Sequence, residues 1–179
     1  DITLPAYDVK VASDGTVIAC VGQMAYRSEN GTPGTFTKIS SATGLEENLI
    51  LDANVSRMMF AFAPSDPNFV YCIAAGISGT DYPLSNIYQS KDKGLTWSVI
   101  GPGGSSYFNP LGTEGNYALA IAVDPANPEF IMIGGKDLYS WSYATNWEQV
   151  TIDEPTTLPN RGFYVHRDQH IILFNPANP

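Results

Sequence analysis

Two histidines flank an aspartate at alternate positions near the end of the chain, in His166-Arg167-Asp168-Gln169-His170. They are the chain's 2 histidines. On an extended strand, residues i, i+2 and i+4 share one face, so His166, Asp168 and His170 are expected to project together. Imidazole and carboxylate donors suit a divalent transition metal. The same trio could hydrogen-bond a polar ligand, or Asp168 could act as acid or base beside a histidine that tunes it. A plain polar network lining a water-filled wall needs none of this chemistry. No cofactor is called for.

Other side chains could reach the same face. The carboxylates are Asp81, Glu114, Asp153, Glu154 and Asp168, with Asp168 and Glu114 the candidates for catalysis. Glycosidic bond cleavage needs two carboxylates about 5–5.5 Å or 6.5–9.5 Å apart, and nothing in the spacing selects a pair. Tyr82, Tyr107 and Phe108 fall in loops. Exposed rings there could stack on sugars or anchor a protein, or fold back over the sheets. Tyr82, Tyr107 and Arg161 therefore join His166, Asp168 and His170 as ligand-binding candidates.

These residues have to be positioned by a repeated element. Ala63-Pro64-Ser65-Asp66-Pro67, Asp124-Pro125-Ala126-Asn127-Pro128 and Asn175-Pro176-Ala177-Asn178-Pro179 are variants of one turn. An apolar strand precedes each: Met58–Phe62, Ala118–Val123 and Ile171–Phe174. A second strand follows the first two, Asn68–Ile73 and Glu129–Ile133. Strand, Pro-Asx turn and strand recur at a spacing near the ~40–50 residues of four-stranded propeller blades. The pattern predicts an all-β chain, a β-propeller segment with blades over roughly 8–40, 55–100 and 117–152. An incomplete fourth, 163–179, has one inner strand. No helix of useful length is expected. Aligning the Asx turns puts the histidine strand at the rim of the central channel.

A second signature lies between two strands of the middle blade: Ser90-Lys91-Asp92-Lys93-Gly94-Leu95-Thr96-Trp97. Ser90 and Asp92 can bond backbone N–H groups inside the turn. Gly94 can take a positive φ, Thr96 suits the outgoing strand, and Trp97 supplies an apolar anchor. Ser90, Asp92, Gly94, Thr96 and Trp97 at this spacing resemble the Asp-box, or BNR repeat, of sialidases, sortilin-like receptors and xyloglucanase-type glycoside hydrolases. The resemblance implies a propeller blade with the box as a structural fastener away from any active site. Ser28-Glu29-Asn30-Gly31 reads as a degraded copy, and 142–146 has lost the pattern.

The stretch Val165–Pro176 also resembles a histidine-aspartate-histidine strand in large secreted bacterial BNR proteins, with Arg167 and Asn175 as modest departures. The segment that carries the catalytic aspartate of xyloglucanase-type enzymes is not found. A sialidase would need three converging arginines, and Arg27, Arg57, Arg161 and Arg167 offer few, with Arg27 on the wrong face. The resemblance implies a secreted or cell-surface module that binds a glycan or a protein. The alternatives are part of a xyloglucanase-type or sialidase-type hydrolase, or a sortilin-like interaction scaffold.

The totals fit. With 179 residues, 44% hydrophobic and 15% charged, the chain can bury a core. Its net charge of −9 disfavours phosphate backbones and anionic membranes, and no apolar run is long enough to insert as a helix. Cys20 and Cys72 each lie in an apolar run, as buried thiols would. Asp1-Ile2-Thr3 shows no basic end or apolar stretch, as expected of a mature or trimmed product or of a cytoplasmic one. Three blades and a strand fall short of the usual four to eight. The remaining blades are expected from a longer chain, or failing that from other subunits.

Overall fold

A computed structural model describes residues 4–101, 108–153 and 163–175. The elements are β1 (Ala6–Val11), β2 (Val17–Val21), β3 (Met24–Ser28), β4 (Thr37–Lys38), β5 (Ser40–Ser41), a 3-10 turn (Gly44–Glu47), β6 (Ile50–Leu51), β7 (Val55–Phe62), β8 (Val70–Gly76), β9 (Leu84–Ser90), β10 (Ser98–Val99), β11 (Ala120–Val123), β12 (Ile131–Gly134), β13 (Tyr139–Ser142) and β14 (Asn146–Gln149). They form three four-stranded antiparallel sheets in chain order, β1–β4, β7–β10 and β11–β14. These are propeller blades, and the all-β partial propeller expected from the repeats is the fold observed.

Each blade starts with a hairpin whose turn is fixed by its own side chains. Asp124 Oδ1 accepts the Ala126 and Asn127 N–H groups at 2.7 and 2.8 Å, and Asn127 Oδ1 accepts that of Glu129 at 3.0 Å. Asp66 Oδ1 takes the Asn68 N–H at 3.0 Å in the same way. Asx side chains compete well for local N–H groups, which is why these turns were legible.

The Ser90–Trp97 turn is tied from within. Ser90 Oγ accepts the Gly94 N–H at 2.8 Å, and Asp92 Oδ1 accepts those of Leu95 and Thr96 at 3.1 and 2.8 Å. The Thr96 hydroxyl donates to Asp92 Oδ2 at 2.6 Å, and the Trp97 indole N–H to the Gly94 carbonyl at 3.1 Å. Burial alone would raise the Asp92 carboxyl, but the donors from Thr96, Ser90 and Leu95 outweigh it and hold the group below its ordinary value. Gly94 has φ +85°, and a Cβ there would stand 2.8 Å from Ile18 Cδ1, so only glycine fits without a shift. In the first blade, Ser28 Oγ still accepts the Gly31 N–H at 2.9 Å.

Alternation within each strand sends one set of side chains toward each neighbouring blade. One core, between the first and second blades, holds Ile18, Cys20, Ala25, Met58, Phe60, Cys72, Tyr88 and Trp97. The other, between the second and third, holds Tyr71, Ile73, Ile87, Leu119, Ile121, Ile131, Ile133 and Trp141. Cys20 and Cys72 are free and buried. Polar ties cross between blades: Arg27 Nε donates to the Lys93 carbonyl at 2.7 Å, and Lys93 Nζ lies 2.6 Å from Asp14 Oδ2. Arg27 thus serves the fastener side of the second blade.

Between the first two blades, β5 and β6 pair in parallel around the 3-10 turn. β13 begins at Tyr139, because the Lys136 and Asp137 N–H groups donate to the Pro110 carbonyl at 2.8 and 3.1 Å rather than to a neighbouring strand. Apart from the bridge Ile152–Tyr164, residues 163–175 pair with no strand among the described residues, as a lone inner strand without its blade partners would, and Ile171 and Leu173 are exposed.

Candidate functional site

The histidine segment is held in place by the third blade rather than by a strand of its own. The Asp168 and Gln169 N–H groups both donate to the Gly135 carbonyl, at 2.9 and 3.0 Å. Gln169 Oε1 accepts the Gly135 N–H at 3.0 Å, and its amide nitrogen donates to the His166 carbonyl at 2.6 Å. These bonds turn the backbone, and Asp168 takes φ 78°. The expectation that His166, Asp168 and His170 share one strand face is therefore corrected: alternation applies only to extended backbone. All three are exposed. His166 Nδ1 lies 2.9 Å from the Arg167 carbonyl oxygen, and the His170 ring meets Tyr117 edge-on with centroids 4.7 Å apart. No group of three or more His, Cys, Asp or Glu side chains is placed to hold a metal ion among the described residues.

The turn instead delivers Arg167. Its guanidinium donates to Asp153 Oδ2 at 2.8 Å, while Lys136 Nζ lies 3.4 Å from Asp153 Oδ1. Asp153 is nearly enclosed, and two cations compensate its charge. Its backbone N–H donates to Asp137 Oδ1 at 2.9 Å. Asp137 is buried, and burial pushes its carboxyl above the ordinary carboxylate range, with the Asp153 charge acting in the same direction. Both carboxylates are nearly enclosed, Asp153 held by two cations and Asp137 by the Asp153 backbone N–H.

Beside them opens a cleft of about 220 Å³ lined by Leu111, Gly112, Thr113, Glu114, Lys136 and Arg167. The loop forming its far wall is tied down by backbone and side-chain hydrogen bonds. Asn109 accepts the Leu84 N–H at 3.0 Å and donates to the Gly112 carbonyl at 2.7 Å. Tyr82 and Glu114 form a parallel bridge, with the Tyr82 N–H donating to Thr113 and the Gly115 N–H to Tyr82, both at 2.9 Å. The Tyr117 N–H donates to the Glu114 carbonyl at 2.8 Å, and the Tyr117 side chain is exposed. Arg57 supports this corner from the second blade, donating to the Tyr117 carbonyl at 2.9 Å.

Of the candidates named from sequence, Glu114 lines the cleft, Tyr82 braces its wall, and His170 packs edge-on against Tyr117. His166 and Asp168 lie on the exposed side of the segment that carries Arg167. Tyr107, Glu154 and Arg161 lie outside the described residues. The sequence reading did not name Lys136 or Asp137 as site candidates and gave Arg167 no place in a site. The signal that could have found them is Gly134-Gly135-Lys136-Asp137, two glycines ahead of a charged pair where a continuing strand would be apolar.

No protein-family model matches the chain, and no curated protein sequence matches it. Among solved structures, the GH74 enzyme of Niastella koreensis superposes with a TM-score of 0.60 at 18% identity, over 99% of this chain and 25% of that one. An ancestral GH74 enzyme superposes with a TM-score of 0.54 at 15% identity, over 84% of this chain and 19% of that one. The chain thus spans about a quarter or less of the length of these structures, and the likeness is one of fold: four-stranded blades of a β-propeller.

Proposed function

We propose that this chain is part of a secreted or cell-surface propeller that binds a glycan across the face carrying Glu114, Tyr117, Lys136, Asp137, Asp153, Arg167 and His170. The observation that carries the reading is an exposed Tyr117 ring, edge-on to His170 and tied through its backbone to Glu114, a residue lining a cleft whose Lys136 and Arg167 are both paired with Asp153. A sugar ring offers apolar C–H faces and a rim of hydroxyls. An aromatic plate beside fixed donors and acceptors meets both. On this reading the Ser90–Trp97 turn is an Asp-box that fastens the opposite face, and its partners are hydroxyl-rich ligands rather than nucleic acid or bilayer.

Calorimetric titration with neutral β-glucan oligosaccharides and with sialylated oligosaccharides tests it. Binding of either class, weakened at least about tenfold by Tyr117→Ala, is the expected result. Folded protein that binds neither refutes it.

One observation favours a second reading, part of a glycoside hydrolase. Asp137, whose carboxyl pKa is raised by burial, accepts the Asp153 N–H, and Asp153 in turn is contacted by Arg167 and Lys136, so a desolvated acid stands next to a second carboxylate residue. The likeness in fold to GH74 enzymes points the same way. Here Asp137 is the proton donor. Release of reducing ends that Asp137→Asn abolishes supports this reading; binding without turnover eliminates it.

A further inference from the structure

The three blades carry the same four-residue ladder on the face that looks back along the chain. In the second blade, Phe60 pairs with Cys72 and Cys72 with Tyr88, and Trp97 stands two residues before Val99, the partner of Tyr88. In the third, Ile121 pairs with Ile133 and Ile133 with Tyr139, and Trp147 stands two before Gln149, the partner of Tyr139. In the first, Val9 pairs with Ala19 and Ala19 with Tyr26, and Phe36 stands two before Lys38, the partner of Tyr26. Each ladder reads aliphatic or aromatic, small or aliphatic, tyrosine, aromatic.

Two of the ladders are interfaces. Phe60, Cys72 and Tyr88 are wholly buried and Trp97 nearly so, against Ile18, Cys20 and Ala25 of the first blade. Ile121, Ile133, Tyr139 and Trp147 pack against Tyr71, Ile73 and Ile87 of the second. Among the described residues the third ladder has no cover. Val9 is 55% exposed against 0% for Phe60, and Phe36 is 39% exposed against 3% for Trp97. Tyr7 and Val11 extend the open face along β1, and an open apolar depression of about 370 Å³ lies over Ala19, Val21, Tyr26 and Phe36.

We infer that the face of Val9, Ala19, Tyr26 and Phe36 is a docking surface for the forward face of a further four-stranded blade, supplied by polypeptide outside these 179 residues. The argument is continuity with the two interfaces on either side of the second blade. Each time the ladder meets a sheet face whose buried part is largely apolar, Ile18, Cys20 and Ala25 in one case and Tyr71, Ile73 and Ile87 in the other, crossed by polar ties such as the Phe60 N–H to Asp8 Oδ2. A second copy of the chain is a poorer fit. Its forward face, on the third blade, presents Ser140 and Ser142, already buried, and the segment 163–175 lies alongside, with Phe174 against Phe130 and Ile172 beside Ala122 and Val123. The inference does not rest on the glycan reading and survives its failure.

Hydroxyl-radical footprinting with mass spectrometry reads the face directly, on the 179-residue chain at about 1 and 100 µM and on the full polypeptide that its host produces. Met24, Tyr26 and Phe36 are expected to oxidise at a concentration-independent rate in the chain alone. In the host polypeptide their oxidation falls at least about tenfold, while exposed Tyr143 stays unchanged. Equal oxidation in both overturns the inference. So does protection that grows with concentration in the chain alone, which assigns the face to a second copy.

Discussion

Gly94 and Gly34 share a φ of +85° and differ in what surrounds them, so the pair separates backbone strain from packing. A Cβ at Gly34 meets nothing within 4 Å, whereas one at Gly94 would stand 2.8 Å from Ile18 Cδ1 and 3.3 Å from the Trp97 ring. Gly34→Ala carries only the left-handed penalty, about 1 kcal/mol. Gly94→Ala carries that and overpacking as well. Ile18 is wholly buried and Trp97 nearly so, so neither can swing away. Added overpacking of about 1–3 kcal/mol brings the total to about 2–4 kcal/mol. Urea unfolding of the two variants against the parent measures both from the shift in midpoint at constant slope. At this chain length each kcal/mol is worth about 2–4 °C in Tm. Equal losses in the two variants refute the claim that the Ser90–Trp97 turn is packed against the first blade, and with it the account of that turn as an inter-blade fastener.

Arg27→Met removes the donor to the Lys93 carbonyl and is expected to cost about 1–3 kcal/mol, because that carbonyl loses its charged partner; a loss under about 0.5 kcal/mol in the same urea assay refutes it. Asp137 has a raised folded-state pKa, so its contribution is complete below the unfolded value of about 3.9 and is lost as pH rises through the folded value. Asp137→Asn should therefore match the parent near pH 3.5 and exceed it in stability at pH 7, and equal midpoints at both pH values sink the assignment. Asp14 is held down at about 2, first by its hydrogen bond from Lys93 and then by the Thr16 N–H. The stability it brings is present above the unfolded value and is lost as pH falls toward 2. Carboxyl NMR titration of Lys93→Met should return Asp14 toward its ordinary range; an unmoved midpoint means that Lys93 is not the cause.

The blades were legible because they are written locally. Alternating strands and Asx turns such as Asp124–Asn127 place donor, acceptor and apolar face within a few residues of each other. The site was not, because its geometry is set by carbonyls far away in sequence. Pro110 takes the N–H groups of Lys136 and Asp137 and delays β13, so that the buried Asp137 carboxylate accepts the Asp153 N–H instead of following strand alternation. Gly135 takes those of Asp168 and Gln169, reversing the backbone where the pattern predicted extension. Glu114 and Tyr82 were found because loop position alone brought them close, whereas Arg167 needed the turn at Asp168 to reach Asp153.

The crossover between the first two blades has a dynamic consequence. Asn48, at φ 55° just after the 3-10 turn, accepts the Trp97 backbone N–H at 2.8 Å, and the Ile50 and Asp52 N–H groups donate to Ile39 and Ser41. The outer edge of the second blade is thereby stitched to the outgoing end of the first. Amides of Trp97, Ile50 and Asp52 are expected to exchange with deuterium at one common rate, as a single opening unit that spans two sheets. The smallest cooperative piece of this molecule is then the seam between neighbours, and a single blade does not open alone.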